Sequence, residues 1–173
     1  MTDNKFDYEV VDNFLDNQTF HQIKNIIINN SDFPWFLCDG VSDTNSNDGY
    51  YFFHMFYDAY EPCSDTCKIV EPILNKIHPT ALIKIKANFY PTTKEIVHHQ
   101  FHVDVGNIHR EPISHNGCIL YLNTNNGKTI FENGIEIDSI ENRALFFDPS
   151  FLHQSTTCTD DKIGRFNINF NYF

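Results

Sequence analysis

From residue 81 to the end of the chain, short alternating or aromatic-rich runs follow one another, separated by turn signals such as Asn125-Asn126-Gly127 and Asn133-Gly134. A period of two residues places successive side chains on opposite faces of a strand, so each run predicts one β-strand. About seven or eight such strands are typical of a β-sandwich or an open barrel. The C-terminal half therefore indicates a mostly β architecture.

The N-terminal part has helical rather than strand periodicity. After a short strand in YEVVDN, apolar residues at three- and four-residue spacing predict a helix, with Asp16 or Asn17 available as its N-cap: Phe20, Ile23 and Ile27. A second helix is predicted in SDTCKIVEPILNKIHP, where Pro72 either kinks the helix or marks its start; its apolar stripe is Ile69, Ile73 and Ile77. The fold class is therefore α+β, mostly β.

Two strands indicate which way their faces point. In ALIKIKANFY the apolar row is Ile83, Ile85, Ala87 and Phe89, and the opposite polar row is Lys84, Lys86, Asn88 and Tyr90. In GRFNINFNYF the apolar row is Phe166, Ile168, Phe170 and Tyr172, against Arg165, Asn167 and Asn169. We expect the helices to pack on the apolar rows, at the outer face of a sheet, while the polar rows line a pocket inside the barrel.

A chain of 173 residues can form one domain with a real core, since roughly two thirds of the unfolded surface is buried at this size. We expect a single domain over 1–173, with the N-terminal strand and supporting helices in 1–79 and the barrel core in 80–173.

Charge and cysteine content narrow the class of protein. The formal net charge of -11 provides no basic field for a phosphate backbone, which disfavours nucleic acid as a partner. The N-terminus has no basic head followed by an apolar run, and no segment approaches the roughly 20 apolar residues of a bilayer span. We therefore expect an intracellular, cytoplasmic protein with no membrane partner. The five cysteines contain no CxxC pair, which suits reduced structural thiols.

The segment HHQFHVDVGN, residues 98–107, is rich in metal-binding residue types. In an extended segment His102 and Asp104 point to the same face, and His153 is the candidate for a third ligand from a distant strand. Two imidazoles and one carboxylate on one face of an octahedral metal form the arrangement of non-haem Fe(II) oxygenases. The absence of a thiolate from this set argues against a structural zinc.

Taken alone, a His-x-Asp pair more often marks a surface coincidence or a hydrogen-bonded turn. The remaining histidines of this region are expected to be solvated or to line the mouth of a pocket: His98, His99, His109 and His115. Arg165 strengthens the metal interpretation because it lies on the polar row of a strand that follows His153. A guanidinium matches a carboxylate in a bidentate fork, so an anionic cosubstrate is indicated. The alternative is that Arg165 pairs with an acidic side chain of the protein.

The order His102-x-Asp104, His153 and Arg165, with ANFYP before and GCILYLN between, resembles the Fe(II)/2-oxoglutarate-dependent dioxygenases. The resemblance is strongest to their prolyl 4-hydroxylase-like branch, and its motifs cover about residues 80–173. It implies a double-stranded β-helix, which is a jelly-roll or cupin-like barrel. It also implies Fe(II) as the metal, 2-oxoglutarate and O2 as cosubstrates, and ascorbate as a stimulating reductant.

The resemblance assigns roles to individual residues. His102, Asp104 and His153 are implied as iron ligands, and Arg165 as the residue that binds the distal carboxylate of 2-oxoglutarate. Tyr121 matches a tyrosine that bonds the same carboxylate. Tyr90, in FYP, matches a tyrosine that reaches the cosubstrate or the iron side of the pocket. Thr129 lies where the family often has a small polar residue on a pocket strand. For both tyrosines the alternative is an ordinary strand residue with its hydroxyl at the rim.

The chain also departs from the family pattern. The turn NNGKT is shorter than the glycine-rich turn that the family often has, but this difference affects none of the candidate ligands. Asn88-x-Tyr90 resembles the nucleic-acid demethylase branch, but the paired arginines of that branch are missing, since only Arg165 is present. Family members that halogenate lack the carboxylate ligand, so Asp104 favours hydroxylation.

The implied activity is hydroxylation of a C–H bond with release of succinate and CO2. Peptidyl proline is the substrate that the resemblance implies, and a free amino acid or another small molecule is the alternative. A cupin-like metal-binding module without turnover, or an interaction scaffold that binds neither metal nor 2-oxoglutarate, remains a non-enzymatic alternative. The polar loop 39–49, the loop 105–116 and the run YYFFHMFYDAY are expected to face the substrate, although this run equally fits a buried strand.

Overall fold

The computed structural model describes residues 6–40, 49–105 and 114–173. Its strands are β1 (Tyr8–Val11), β2 (Phe36–Asp39), β3 (Tyr50–Asp58), β4 (Glu61–Pro62), β5 (Leu82–Pro91), β6 (Asn116–Tyr121), β7 (Lys128–Phe131), β8 (Glu136–Asp138), β9 (Ala144–Phe147), β10 (His153–Ser155) and β11 (Gly164–Tyr172). Its helices are α1 (Asn17–Ile27), a 3-10 helix (Asp65–Val70) and α2 (Glu71–Ile77). Within the described ranges, seven strands follow residue 81, in agreement with the turn pattern.

The strands form two antiparallel sheets. The larger sheet has the order β1-β9-β6-β11-β5-β3-β2, with β4 paired to β3, and the smaller sheet has the order β10-β7-β8. From β6 onward the chain passes back and forth between the two sheets. An apolar cluster joins them on their inner faces: Ile119, Tyr121, Phe131, Ile137, Leu145 and Phe147. The prediction of a mostly β barrel is confirmed.

The helices pack on the outer face of the larger sheet, as the apolar rows predict. Asp16 is the N-cap of α1, because its Oδ1 accepts a hydrogen bond from the backbone N–H of Thr19 at 3.0 Å. Pro72 lies in the first turn of α2, so it marks the start of this helix and does not kink it. The buried stripe of the helices meets the apolar rows of β5 and β11 in one core: Phe20, Ile23, Ile27 and Ile73 against Ile85, Ala87, Phe166, Ile168 and Phe170.

The pairing of β5 with β11 aligns the two polar rows. The antiparallel register places Arg165 opposite Tyr90, Asn167 opposite Asn88, and Asn169 opposite Lys86. Partners in such a pair project from the same face of the sheet. These side chains therefore lie together on the inner face, and the expectation of a polar pocket inside the barrel is confirmed.

Two further expectations have an outcome in the fold. The aromatic run forms β3, a strand of mixed burial in which Tyr51 and Phe56 are buried and Tyr50 is exposed, and its contact with substrate stays a prediction. All five cysteines are free thiols.

Most of the two predicted substrate-facing loops, residues 41–48 and 106–113, lie outside the described residues. Among the described helices, none is long and apolar enough to cross a membrane.

The stripe of α1 provides a matched stability test, because the same residue type occurs on both sides of the helix. Ile23 is 3% exposed and Ile26 is 38% exposed. We expect Ile23→Ala to lower the free energy of unfolding by about 2–5 kcal/mol, since it removes buried methyl groups and leaves a cavity. Ile26→Ala should change it by less than about 1 kcal/mol, because alanine is also the better helix former. Urea unfolding followed by circular dichroism measures both, and equal losses would contradict the packing.

Candidate metal centre

A short backbone bridge brings His102 and His153 together. The N–H of His102 donates to the carbonyl of His153 at 2.9 Å, and the N–H of His153 donates to the carbonyl of His102 at 3.1 Å. This antiparallel pair places the two imidazoles side by side, with ring centroids 4.7 Å apart. Two main-chain hydrogen bonds therefore hold together two histidines that are far apart in the sequence.

Asp104 completes a group of three metal-binding side chains. Its Oδ1 lies 3.4 Å from Nε2 of His153 and 3.9 Å from Nε2 of His102. One potential ligand atom from each residue lies within 4.8 Å of the other two. The sequence-predicted triad is thus brought together, with the carboxylate and His153 buried and His102 more accessible.

The two imidazoles are held in the tautomer that a metal needs. Nδ1 of His102 donates to the carbonyl of Gln100 at 3.1 Å, and Nδ1 of His153 donates to the carbonyl of Phe151 at 2.9 Å. A carbonyl can only accept, so the proton of each neutral ring resides on Nδ1. The lone pair on each Nε2 faces the other two side chains, which is the usual arrangement for metal-ligating histidines.

Asn169 orients the carboxylate. Its amide Nδ2 donates to Oδ2 of Asp104 at 2.8 Å, which directs the other oxygen, Oδ1, towards the imidazoles. Asn169 belongs to the polar row of β11, but the row alone did not indicate that it would bond to Asp104. Outer contacts of this kind fix a ligand before the metal arrives.

Asp104 and His102 are held in the protonation states that a metal ligand needs. Burial alone would raise the pKa of Asp104, but the imidazoles of His153 and His102 and the amide of Asn169 outweigh it and lower the pKa. Burial and the neighbouring His153 lower the pKa of His102 to about 4. Burial opposes protonation of His153 too, but the Asp104 carboxylate outweighs it and raises the pKa of His153. A carboxylate and two imidazoles without a thiolate form a donor set that fits Fe(II).

Arg165 lies in the same cavity and is completely buried. Its Nε donates to Oγ of Ser139 at 2.6 Å, its Nη2 to Oγ1 of Thr129 at 3.0 Å, and its Nη1 to the carbonyl of Thr156 at 3.4 Å. Among the described residues no carboxylate forms an ion pair with it, so the alternative of an internal acidic partner is not met there. These three bonds use three of the five N–H groups of a guanidinium.

The two predicted tyrosines flank this guanidinium. Its central carbon lies 5.5 Å from the ring centre of Tyr90 and 5.6 Å from that of Tyr121. Burial raises the pKa of both phenols, with a partly opposing effect of Arg165, so both remain neutral donors. The Tyr121 hydroxyl donates to Oγ1 of Thr129 at 2.8 Å. Both tyrosines are buried, so neither is a rim residue.

Thr129 and Gly127 shape the surroundings of Arg165. Thr129 accepts from both Tyr121 and Arg165, so its own hydroxyl proton remains to be donated. A Cβ at Gly127 would lie 2.7 Å from Cδ of Arg165 and 2.8 Å from the carbonyl oxygen of Thr157. Only glycine allows this close approach. The short turn NNGKT therefore packs directly on the arginine.

Unpaired acceptors line the cavity between the triad and Arg165. The side-chain carbonyls of Asn88 and Asn169 are buried without a hydrogen-bond partner. Their amide nitrogens are fixed by bonds to Asn167 and Asp104, so the carbonyl oxygens are the free ends. The free volume is about 30 Å³, which holds roughly one water molecule. Buried acceptors of this kind require a donor from a ligand or from water.

The expectation that His99 and His115 are solvated is wrong, because both are buried. His99 stacks on Tyr90 and bonds to Ser155, so it lies beside the cavity as the pocket alternative proposed. His115 bonds to Asn171. His98 is exposed, and His109 lies outside the described residues.

Ser139 gave no signal in the sequence, because it lies in the connection between β8 and β9 and contacts Arg165 only in the folded chain.

Comparison with known proteins supports the fold. No protein-family model and no curated protein sequence matches this chain. Among solved structures, a prolyl hydroxylase from Trichoplax adhaerens, in complex with a hypoxia inducible factor peptide fragment, is 16% identical with a TM-score of 0.71, over 96% of this chain and 83% of that one.

A viral collagen prolyl hydroxylase of Paramecium Bursaria Chlorella virus-1, in complex with 2OG, is 15% identical with a TM-score of 0.59, over 95% of this chain and 94% of that one. A 2OG-Fe(II) oxygenase family oxidoreductase from Burkholderia pseudomallei is 9% identical with a TM-score of 0.66, over 95% and 84%. The chain has the fold of these proteins. The predicted jelly-roll class and the resemblance to prolyl 4-hydroxylase-like dioxygenases are confirmed at the level of the fold.

Removal of a triad residue tests the metal site. We expect His153→Ala and Asp104→Ala each to weaken binding of Fe(II) by more than about 100-fold, since loss of an outer contact alone costs about 10–100-fold. Anaerobic calorimetric titration measures the affinity. His21→Ala, which changes an exposed histidine of α1, is the control and should bind as the unchanged protein does. Full affinity in the Asp104 variant would exclude the carboxylate from the site.

Asn169 provides a test of carboxylate orientation. We expect Asn169→Ala to weaken Fe(II) binding by about 10–100-fold, because Asp104 loses the amide that fixes its direction. Asn171→Ala is the matched control, since it removes the same amide from the same face of β11 but bonds to His115 instead. The same calorimetric titration compares them, and equal affinities in the two variants would mean that the contact with Asp104 has no influence on the metal.

Proposed function

We propose that this protein is an Fe(II)- and 2-oxoglutarate-dependent dioxygenase that hydroxylates a C–H bond. The observation that carries the proposal is the single cavity lined both by the group His102, Asp104 and His153 and by the buried Arg165. A metal-binding module needs only the triad. A buried guanidinium without a carboxylate partner is costly to maintain unless an anion binds to it.

His102, Asp104 and His153 are the residues that would hold the iron. Fe(II) held by these residues would supply the oxidation of a C–H bond to an alcohol by O2, coupled to conversion of 2-oxoglutarate to succinate and CO2. One oxygen atom of O2 would enter the product and the other would enter succinate, and the C–H bond and 2-oxoglutarate would each supply two of the four electrons that reduce O2. The protein's own side chains hold the reactants and limit the access of water.

Arg165 is the proposed anchor for the distal carboxylate of 2-oxoglutarate. Its remaining N–H groups offer a forked, charged pair of donors, and the Thr129 hydroxyl offers a further one. Tyr121 acts through Thr129, to which its hydroxyl donates, and Tyr90 covers the guanidinium from the side of the cavity.

Peptidyl proline is the proposed substrate. The support is that two of the similar structures are prolyl hydroxylases, one of them bound to a peptide and the other named for collagen. Hydroxylation of a free amino acid or another small molecule uses the same site and is the alternative. A cupin-like module without turnover is the non-enzymatic alternative, which the buried arginine beside the triad disfavours.

The deciding experiment is succinate formation from 2-oxoglutarate in the presence of Fe(II), O2 and ascorbate, without and with proline-containing peptides and free amino acids. We expect release of succinate that requires both the metal and intact Asp104. A protein that binds Fe(II) but converts no 2-oxoglutarate under any of these conditions would be a metal-binding module.

Replacement of the arginine tests the cosubstrate site. We expect Arg165→Ala and the milder Arg165→Lys to raise the KM for 2-oxoglutarate, by about 10–100-fold for alanine, because charge-assisted hydrogen bonds remote from the reacting atoms are lost. Arg143→Ala is the control, since Arg143 pairs with Asp12 at the surface. Steady-state kinetics of succinate release measure the KM. Unchanged values in folded Arg165 variants would assign this arginine to structure.

A further inference from the structure

A second positive charge lies beside the metal centre, on the strand that carries Tyr90. Lys86 projects from the same face of β5 as Asn88 and Tyr90, and it is paired with Asn169, the residue that orients Asp104. Its Nζ bonds to the hydroxyl of Tyr51 at 3.2 Å and lies 5.2 Å from the centre of that ring. The proposed iron and 2-oxoglutarate sites leave this lysine without a function.

The partners of Lys86 do not neutralise it. Burial raises the pKa of Tyr51, so its hydroxyl is a neutral acceptor. Within the part of the chain that the structure describes, no carboxylate lies within ion-pair distance of the ammonium group. Burial lowers the pKa of Lys86, with a partly opposing effect of Asp104, so a carboxylate bound next to the amine would raise the pKa and stabilise the charged form. A partly buried ammonium whose strongest contact is a phenol lacks a counter-charge.

The charges of a site with Fe(II) and 2-oxoglutarate bound also leave Lys86 without a counter-charge. Fe(II) and the dianion of 2-oxoglutarate cancel each other, and Asp104 offsets the charge of Arg165. Lys86, two residues before the cavity-lining Asn88 and on the same face of β5, then adds an excess positive charge next to the cavity. A primary substrate with one carboxylate in reach of Lys86 would neutralise it, whereas a cationic substrate would meet repulsion at low local dielectric.

The neighbours of Lys86 define the rest of the ligand. The carbonyl of Asn169, on the paired position, is a buried acceptor that needs a donor. On the neighbouring strand β3, Met55 is paired with Lys86. Phe53, two residues before Met55, has its ring centre 6.0 Å from that of the exposed Phe36. A substrate that fits carries a carboxylate, an N–H or O–H donor near it, and an apolar part.

We propose that Lys86 is a specificity-determining residue that binds a carboxylate of the primary substrate and thereby positions its C–H bond at the metal. This inference rests on the proposed dioxygenase function and adds the substrate's chemical class to it. An ion pair beside the metal centre reduces the orientations available to the bound substrate, which favours a single site of hydroxylation. The carboxylate belongs either to an Asp or Glu near the target residue of a peptide or to a free amino acid.

The experiment compares substrates matched in shape and different in charge. Capped peptides with one proline and one Asp at each neighbouring position are assayed for succinate release above the basal rate, beside peptides with Asn or Lys in place of Asp. Free proline and its amide form the second arm. We expect the wild-type protein to favour an Asp peptide over its Asn counterpart, or proline over its amide, by about 10-fold or more. The arm that responds identifies the source of the carboxylate.

Variants of Lys86 connect this preference to the residue. Lys86→Gln should abolish the preference for the charged substrate, and Lys86→Glu should reverse it in favour of the Lys peptide. Lys84→Gln is the matched control and should keep the wild-type preference, because it removes the same charge from the same face of β5, one pair further from Asp104. The ratio between substrates within each variant is the readout, so differences in folding or basal rate do not affect it.

The outcomes separate this inference from the function on which it rests. Basal succinate release without any preference for a carboxylate would overturn the role of Lys86 and leave the dioxygenase intact. A rise in the KM for 2-oxoglutarate alone, in Lys86→Gln, would assign the lysine to the cosubstrate and also overturn the inference. If Fe(II) and 2-oxoglutarate yield no succinate at all, the proposed function fails, and the inference fails with it.

Discussion

The antiparallel pairing of β5 with β11 is the constraint on which the rest of the structure depends. Its register sets Arg165 beside Tyr90 and Asn169 beside Lys86 on the inner face, while Phe166 and its apolar neighbours face the helices. A shift of one residue would exchange the two faces, place the charges in the core, and expose the apolar row. Burial of the apolar side therefore fixes the positions of the polar groups that face the metal centre.

A site built on this pairing is organised before a ligand arrives. Backbone carbonyls fix the tautomers of His102 and His153, and Asn169 directs Asp104. The ring faces of two tyrosines and the hydroxyl of Thr129 hold Arg165. Each contact reduces the rearrangement that binding would otherwise require, which is how rigid elements raise affinity and orient reactants. The price is unpaired buried acceptors, which a ligand or water must satisfy.

The two sheets contribute different residues to the cavity. The larger sheet contributes the residues of the proposed anion and substrate contacts, on β5 and β11, and the smaller sheet contributes His153 and Thr129. The cavity lies between them, so groups of opposite charge converge there from separate elements. Fold similarity alone does not determine a reaction, and the proposed activity rests on this convergence of a triad and a guanidinium.

The sequence by itself determined the local features: the strand faces, the helix stripes, and the common direction of His102 and Asp104. These follow from backbone periodicity, which is a short-range property. The sequence also offered His153 and Arg165 as candidate partners, and resemblance to a known family then implied their roles. Only the tertiary structure decided which distant groups meet, such as Ser139 with Arg165 and Asn169 with Asp104. It also buried His99 and His115, because burial depends on what packs against a residue rather than on its neighbours in the chain.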